Sequence, residues 1–168
     1  MKTWILYIGI CLLFVPSLLF SQNYIRTPYD VVNEESWLPG IEDFAEGAPA
    51  VILVDYGLMT FLPANNSVIV RYNYVKRVQI LSEKGLALAK VRIPYNSKER
   101  RLISITATTY SKNPQGLIIP FRVRKRDFEE IGPKIGDRVL SFSLPLAKVG
   151  SIIEYSLTFE SKDLDKLD

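Results

Sequence analysis

Residues 68–81 of this chain read VIVRYNYVKRVQIL, and this alternating stretch decides the fold class. A repeat of two is that of a β-strand, whose successive side chains point to opposite faces of a sheet. The alternation weakens at Val75 and Lys76, which predicts a bulge or bend there, because the segment is long for one strand. The pattern predicts one face with Val68, Val70, Tyr72, Tyr74, Val78 and Ile80, and an opposite face with Arg71, Asn73, Arg77 and Gln79.

Further β-rich runs follow at spacings of about ten residues, separated by turn signals. Turns at 82–85 and 113–116 predict two hairpins, 68–94 and 102–124, with Gly85 at a position that tolerates a positive φ. The predicted strands are 50–56, 68–81, 86–94, 102–110, 117–124, 138–146 and 151–159. In strand 102–110 the alternation places Ile103, Ile105 and Ala107 on one face, and Ser104, Thr106 and Thr108 on the other.

Runs of helical period are absent after the first 21 residues, and residues 127–130 are too few for a stable helix. The predicted fold class is therefore all-β, an antiparallel β-sandwich of about seven or more strands preceded by a signal-peptide helix. Three units are expected along the chain: a signal peptide at 1–21, an irregular lead-in at 22–47 and the β-sandwich module at 48–168.

The first 21 residues have the parts of a secretory signal peptide. Lys2 precedes an apolar run that extends to Phe20, and the small residue Ser21 follows as the predicted cleavage site. We therefore expect an extracytoplasmic protein, in the periplasm, at the cell surface or secreted, with no stable membrane span once the leader is removed. The alternative is an uncleaved leader that anchors the chain, since the run is at the short end for a spanning helix.

Residue types that are missing from the chain limit its chemistry. Histidine is absent, and the single cysteine, Cys11, lies inside the leader. Neither a Cys-His or Ser-His pair nor a zinc site of the usual nitrogen and sulfur ligands can be built from the mature chain. The acidic residues are scattered or lie in predicted loops. We expect no enzyme activity, no catalytic or metal-binding residues and no cofactor.

Charge is unevenly distributed along the chain. Residues 71–134 carry fifteen Lys and Arg against five acidic residues, although the net charge of the whole chain is only +3. One interpretation is a face that binds polyanions. The favoured interpretation is that these cations occupy solvent-facing strand positions, because they alternate with apolar residues and do not form a continuous cluster. Nucleic acid is not an expected partner of an exported protein.

Tyrosines on the long predicted strand are the candidate ligand-binding residues. Tyr72 and Tyr74, with the basic residues Arg71 and Arg77, are candidates for binding glycan or peptide. The favoured interpretation is that the tyrosines pack at the edge of the core, since aromatic residues are ordinary formers of strands.

Seven segments have the order and spacing of a known family: 48–56, 78–85, 89–95, 105–110, 113–116, 142–145 and 149–155. They resemble the domain of unknown function that precedes a transglutaminase-like core in exported proteins of Gram-negative bacteria. The resemblance covers residues 48–160, and it implies a β-sandwich module whose larger members continue into further β structure and a Cys-His-Asp domain.

The resemblance also implies what the chain lacks. It predicts a truncated product without the catalytic domain, and one whose missing C-terminal strands leave an open sheet edge at the end of the chain. The expected function is that of a non-catalytic accessory or interaction module. Its expected partner is a transglutaminase-like protein or the missing strands, bound by strand addition at that edge. The alternative is a glycan- or peptide-binding module that uses the strand tyrosines and basic residues.

Overall fold

A computed structural model describes residues 31–38, 40–64 and 67–161 of the chain. The predicted signal peptide at 1–21, with its cleavage site and its helix, lies outside the described residues. Within the part that is described, no helix is both long and apolar enough to cross a bilayer. The eight strands of this part are β1 (Ala50–Ala64), β2 (Ser67–Ile80), β3 (Lys90–Asn96), β4 (Arg101–Lys112), β5 (Ile118–Arg122), β6 (Glu129–Ile131), β7 (Asp137–Ser143) and β8 (Ile152–Ser161).

The strands form two antiparallel sheets. A five-stranded sheet has the order β1-β2-β8-β4-β5, and a three-stranded sheet has the order β3-β7-β6. The two sheets pack face to face, with Tyr95 of β3 against Phe159 of β8 and Phe142 of β7 against Tyr155 of β8, at ring-centroid distances of 5.2 and 5.7 Å. The predicted all-β class, antiparallel pairing and sandwich-like architecture are confirmed.

One apolar core fills the space between the sheets. Its buried side chains come from both layers, and Ile80, Leu140 and Ile153 are at most 2% exposed. Fully burying an aliphatic side chain of this size contributes about 1.5–3 kcal/mol to folding. We call the face of the five-stranded sheet that contacts the smaller sheet its inner face, and the opposite face its outer face.

The predicted faces of the long alternating strand agree with the core. Val78 and Ile80 belong to the core cluster and Tyr74 packs against it, while Arg77 pairs on the outer face with Glu154. The predicted bulge at Val75 and Lys76 is wrong, because both residues pair in an unbroken register with β1 and β8. The irregularity lies in the neighbouring strand instead, between Ile52 and Val54 of β1.

A second irregularity corrects the predicted faces of β4. The register with β8 shifts between Leu102 and Ser104. Ile103 therefore does not share the core face with Ile105 and Ala107, as strict alternation predicted, and its side chain is 41% exposed. An extra residue in one strand reverses the alternation locally, which is what a bulge does.

The pairing predicted for residues 68–94 is wrong. β2 lies between β1 and β8, while β3 pairs with β7 in the other sheet. The segment between β2 and β3 is not a hairpin turn but a 3-10 helix, Glu83–Ala89, that carries the chain from one sheet to the other. Gly85 lies in this helix and is not among the glycines with a positive φ. The hairpin predicted for 102–124 is confirmed as β4 and β5.

The position of the last strand corrects the expectation of an open edge at the end of the chain. β8 pairs with β2 on one side and with β4 on the other, so it is the central strand of the five-stranded sheet. Within the described residues, the five-stranded sheet has two free edges. One is β1, and the other is β5 together with the part of β4 that β5 does not reach.

The described part of the lead-in, which begins at Val31, contains a 3-10 turn at Glu34–Ser36 and one short α-helix, α1 (Ile41–Phe44). Val32 and Ile41 are buried. Trp37 Nε1 donates a hydrogen bond of 2.8 Å to the Gly150 carbonyl, and Lys112 Nζ lies 4.6 Å from the centre of the Trp37 ring. These contacts fix the segment against the sandwich.

Candidate functional site

The structure places the predicted ligand-binding tyrosines on the inner face of β2. The rings of Tyr72 and Tyr74 are stacked, with centroids 6.2 Å apart and an interplanar angle of 20°. Gly57 of β1 makes room for Tyr72, because a Cβ at Gly57 would lie 2.6 Å from the Tyr72 hydroxyl oxygen. Met59 and Phe61, on the same face of β1, are exposed to 43% and 57%.

Tyr74 is tied into the structure by its hydroxyl group. It donates a hydrogen bond of 2.7 Å to Asp55 Oδ1, and Lys76 Nζ lies 3.0 Å from Asp55 Oδ2. These contacts lower the pKa of Asp55, the Tyr74 hydrogen bond first and the Lys76 hydrogen bond second. Burial and the hydrogen bond to Asp55 raise the pKa of Tyr74. Tyr74 therefore packs at the edge of the core, and Tyr72 beside it is half-buried.

The two predicted arginines lie on the outer face, away from the tyrosines. Arg71 Nη2 is 2.6 Å from Glu160 Oε1, and Arg77 Nη2 is 2.6 Å from Glu154 Oε2. The hydrogen bond from Arg71 is the main reason that the pKa of Glu160 lies below its usual value. The four predicted residues therefore do not form one site. Each arginine neutralises a carboxylate on β8.

A different feature stands out at the edge of β4. β8 pairs with β4 from Arg101 to Tyr110 on one side, but β5 pairs with it only from Thr108 to Lys112 on the other. One further hydrogen bond runs from the Val123 N–H to the Ala107 carbonyl, at 2.9 Å. Residues 101–106 of β4 therefore have no strand on that side within the described part of the chain.

Backbone geometry identifies the groups that face the open side. The Ala107 carbonyl points toward β5, since it accepts the bond from Val123. Residues two apart in a strand direct their backbone polar groups to the same side. The N–H and C=O of Ile105 therefore point into the space where β5 has ended. A row of such groups is a ready template for another strand.

A cleft of about 830 Å³ surrounds this free edge, and we call it the β4 cleft. Its lining divides by chemistry into two walls. The wall on the inner face is apolar: it consists of the partly buried Leu102, Ile105, Val123 and Phe128 at the flank of the core, together with the fully buried Leu140. The wall on the outer face is polar, with Thr106, Thr108, Tyr110, Arg122 and Glu154. Ile103, which is apolar and 41% exposed, also lines the cleft, as do Ser104, Ala107, Lys125 and Glu130.

The carboxylates of the cleft are already paired. Glu154 contacts Arg77, and Glu130 accepts a hydrogen bond of 2.6 Å from the Tyr95 hydroxyl and forms a salt bridge of 2.5 Å with Arg138. Arg122 and Lys125 have no carboxylate within 4.0 Å among the described residues. Burial, followed by the charge of Glu154, raises the pKa of Tyr110, and the charge of Arg122 opposes that rise. The unbalanced charge in the cleft is therefore positive.

Sequence reasoning predicted the hairpin that forms this site but not the site itself. The predicted strands 102–110 and 117–124 have similar lengths, whereas β4 has twelve residues and β5 has five. The sequence has one indication that β5 ends early, because Arg124 and Asp127 are three residues apart, a spacing that suits a turn. In the structure a 3-10 turn begins at Lys125, and Arg124 Nε pairs with Asp127 Oδ2 at 2.8 Å. No group of three or more His, Cys, Asp or Glu side chains is placed to hold a metal ion within the residues that the structure describes.

Comparison with known proteins gives one family and one similar structure. The model of DUF3857, a domain of unknown function for which a structure has been solved, matches residues 67–164. A crystal structure titled a "putative protease", from Parabacteroides distasonis ATCC 8503, is similar with a TM-score of 0.43 and 12% sequence identity. The match covers 56% of this chain, and it covers about a fifth (20%) of the length of that protein. No curated protein matches the chain.

Proposed function

The chain belongs to the DUF3857 family, and from this premise we propose that it is a non-catalytic, extracytoplasmic interaction module that binds an extended peptide segment at the free edge of β4. The observation that carries the proposal is the difference in length between β4 and β5, which leaves residues 101–106 without a neighbour on one side. Main-chain hydrogen bonds provide affinity in strand addition, and pockets for alternate side chains provide specificity.

The apolar wall of the cleft supports this proposal. Phe128 and Leu140 line the cleft, and both belong to the core or pack against it. A strand added to β4 would cover this flank of the core and pair the backbone of Ile105 at the same time. Each of these two gains contributes to binding, since burial of apolar surface is favourable and a backbone hydrogen bond that replaces one to water contributes about 0.5–1.5 kcal/mol net.

The proposed partner is a transglutaminase-like protein of the same exported system. The family resemblance over residues 48–160 and the leader-like character of residues 1–21 support this choice. The partner would supply the extended segment, and the module would act as its accessory domain. Light scattering of the chain mixed with such a protein tests the choice, and a complex of defined stoichiometry is expected.

The strand-addition step itself is tested with the chain and a labelled eight-residue peptide that alternates apolar and polar residues. Fluorescence anisotropy should report binding, and amide hydrogen exchange should show slower exchange at Ile105. The matched control is the same peptide with N-methyl groups at every second residue, because N-methylation removes the donors that a ladder needs. Equal binding of the two peptides, or unchanged exchange at Ile105, would contradict strand addition.

A second candidate function rests on the stacked tyrosines. Tyr72 lies over Gly57 with Met59 and Phe61 exposed beside it, which forms an apolar and aromatic surface suited to the face of a sugar ring. Arg71 and Arg77 do not contribute, because they lie on the other face. Titration calorimetry with cell-wall glycan fragments should give binding that Tyr72→Ala abolishes. Flat titrations with the unmodified chain would remove this candidate.

A further inference from the structure

We infer that the segment that fills the β4 cleft is acidic at its outward-facing positions and apolar at its inward-facing positions; this inference rests on the proposed function. The cleft surrounds a strand edge, so an added strand would have one face toward each wall. Successive side chains of that strand point to opposite faces of the sheet. The inner wall therefore contacts the ligand side chains that point to one face, and the outer wall contacts those that point to the other.

The inner wall selects apolar residues. Leu102, Ile105 and Phe128 present carbon atoms to the cleft, and these side chains are only partly buried in the core. A polar side chain placed against them would lose hydrogen bonds to water without gaining a partner, which is unfavourable. Valine, isoleucine or an aromatic residue at these positions would instead extend the core of the sandwich.

The outer wall selects by charge. Its carboxylate, Glu154, is neutralised by Arg77 at 2.6 Å, while Arg122 beside it has no carboxylate within 4.0 Å among the described residues. Lys125 adds a second cation at the mouth of the cleft, where the Glu130 carboxylate is shared by Tyr95 and Arg138. An acidic side chain would find two cations here that pair with no carboxylate of the described residues, and a basic one would meet repulsion.

The free edge sets the length of the segment. Six residues of β4 are open, and a strand rises about 3.4 Å per residue, so the open edge is about 20 Å long. The register shift between Leu102 and Ser104 interrupts this edge, so strict alternation is expected only of the ligand residues that face 104–106. The inferred ligand is therefore a segment of about six residues that alternates apolar with polar residues where it faces 104–106 and carries one or two carboxylates.

Three soluble peptides test the inference on the whole chain: eight residues each, with valine at alternate positions and glutamate, glutamine or lysine between them. We expect the glutamate peptide to bind about ten-fold more tightly than the lysine peptide at low salt. This corresponds to about 1.4 kcal/mol, within the range of two solvent-exposed ionic contacts, since Arg122 and Lys125 are both exposed. The difference should shrink at about 1 M salt, where the screening length falls to about 3 Å.

Two double variants locate the effect. Arg122→Gln with Lys125→Gln should reduce the preference for glutamate over lysine to about two-fold while the glutamine peptide still binds. Lys84→Gln with Lys90→Gln removes two exposed cations that do not line the cleft, and the preference should be unchanged. Neither variant removes a buried apolar contact, and a circular dichroism spectrum identical to that of the parent verifies folding.

The outcomes separate this inference from the proposed function. Equal affinity for all three peptides, with slower exchange at Ile105, overturns the charge preference and leaves strand addition standing. A preference for glutamate that persists in the double variant Arg122→Gln with Lys125→Gln also overturns the inference, since residues other than these two would then cause the preference. Failure of all three peptides to bind or to slow exchange at Ile105 overturns both.

Discussion

Gly85 lies so close to Pro49 that no side chain fits between them: a Cβ at Gly85 would stand 2.1 Å from the Pro49 carbonyl oxygen and 3.2 Å from Ile80 Cγ2. The same carbonyl accepts hydrogen bonds from Leu81 N–H at 3.0 Å and Ser82 N–H at 3.2 Å. This contact joins the residue before β1 to the segment that leaves β2. The glycine is needed for close approach of two backbones, not for a positive φ.

Replacement of Gly85 by alanine should destabilise the fold by at least about 2 kcal/mol, because the new methyl group meets backbone that cannot rotate away. The matched control is Gly57→Ala. There the obstacle is the far end of the Tyr72 side chain, which can turn aside, and a strand glycine replaced by alanine regains about 0.5–1 kcal/mol. Urea unfolding of both variants measures the difference. Equal loss in the two would contradict this account of Gly85.

Local patterns in the sequence were sufficient for the fold class and for the faces of β2. Side chains such as Val78 and Arg77 lie on the faces that the alternation predicted, because burial on one side of a sheet leaves a repeat of two in the sequence. The β4–β5 hairpin was also predicted, since residues 113–116 carry a strong turn signal and the two strands are neighbours in the chain.

Pairing between distant strands could not be predicted in the same way. β8 pairs with β2 across more than seventy residues, for example Glu154 with Arg77, and no local signal specifies that neighbour. The β4 cleft depends on such pairings and on the early end of β5. The candidate site combines Tyr72 with Arg71, although the alternation of the strand places adjacent residues on opposite faces. A candidate site built from one strand therefore has to come from alternate residues.

Thr109 offers a test of the core. Its side chain is fully buried on the inner face of β4, and its Oγ1 has no hydrogen-bond partner. Thr109→Val keeps the shape and removes the unsatisfied hydroxyl, so it should raise the free energy of unfolding by about 1 kcal/mol. Ser111→Ala is the contrasting variant and should lower it, because the Ser111 and Ser151 hydroxyls share a hydrogen bond of 2.8 Å. Thermal unfolding measures both, and a loss of stability in Thr109→Val would refute the prediction.

The ion pair between Arg77 and Glu154 should contribute more to stability than an exposed pair. The Arg77 side chain is 7% exposed, and Glu154→Gln removes a carboxylate 2.6 Å from its guanidinium. We expect a loss of about 1–3 kcal/mol, smaller than for a fully buried pair because Glu154 is still 20% exposed. Asp127→Asn disrupts the solvent-exposed pair with Arg124 and should cause no measurable change. Similar effects of the two substitutions in denaturant titrations would contradict this ranking.

We expect Tyr95 to make the free energy of unfolding depend on pH in the alkaline range. Burial, and then the 2.6 Å hydrogen bond to Glu130, raise the pKa of Tyr95 to about 12, above the ordinary tyrosine value of 10.0. Between these two values the folded state holds a proton that the unfolded chain has released. The stabilisation is therefore fully present below about pH 10 and is lost as the pH rises through about 12.

Tyr95→Phe should remove this dependence at one site while it preserves the ring that contacts Phe159 at 5.2 Å. We expect the parent chain to lose about 2–3 kcal/mol relative to the variant between pH 9 and pH 12, because two pKa units correspond to about 2.7 kcal/mol. Urea unfolding at pH 9, 10, 11 and 12 measures the difference in the free energy of unfolding. A difference that stays constant across this range would show that Tyr95 ionises as freely in the folded protein as in the unfolded chain.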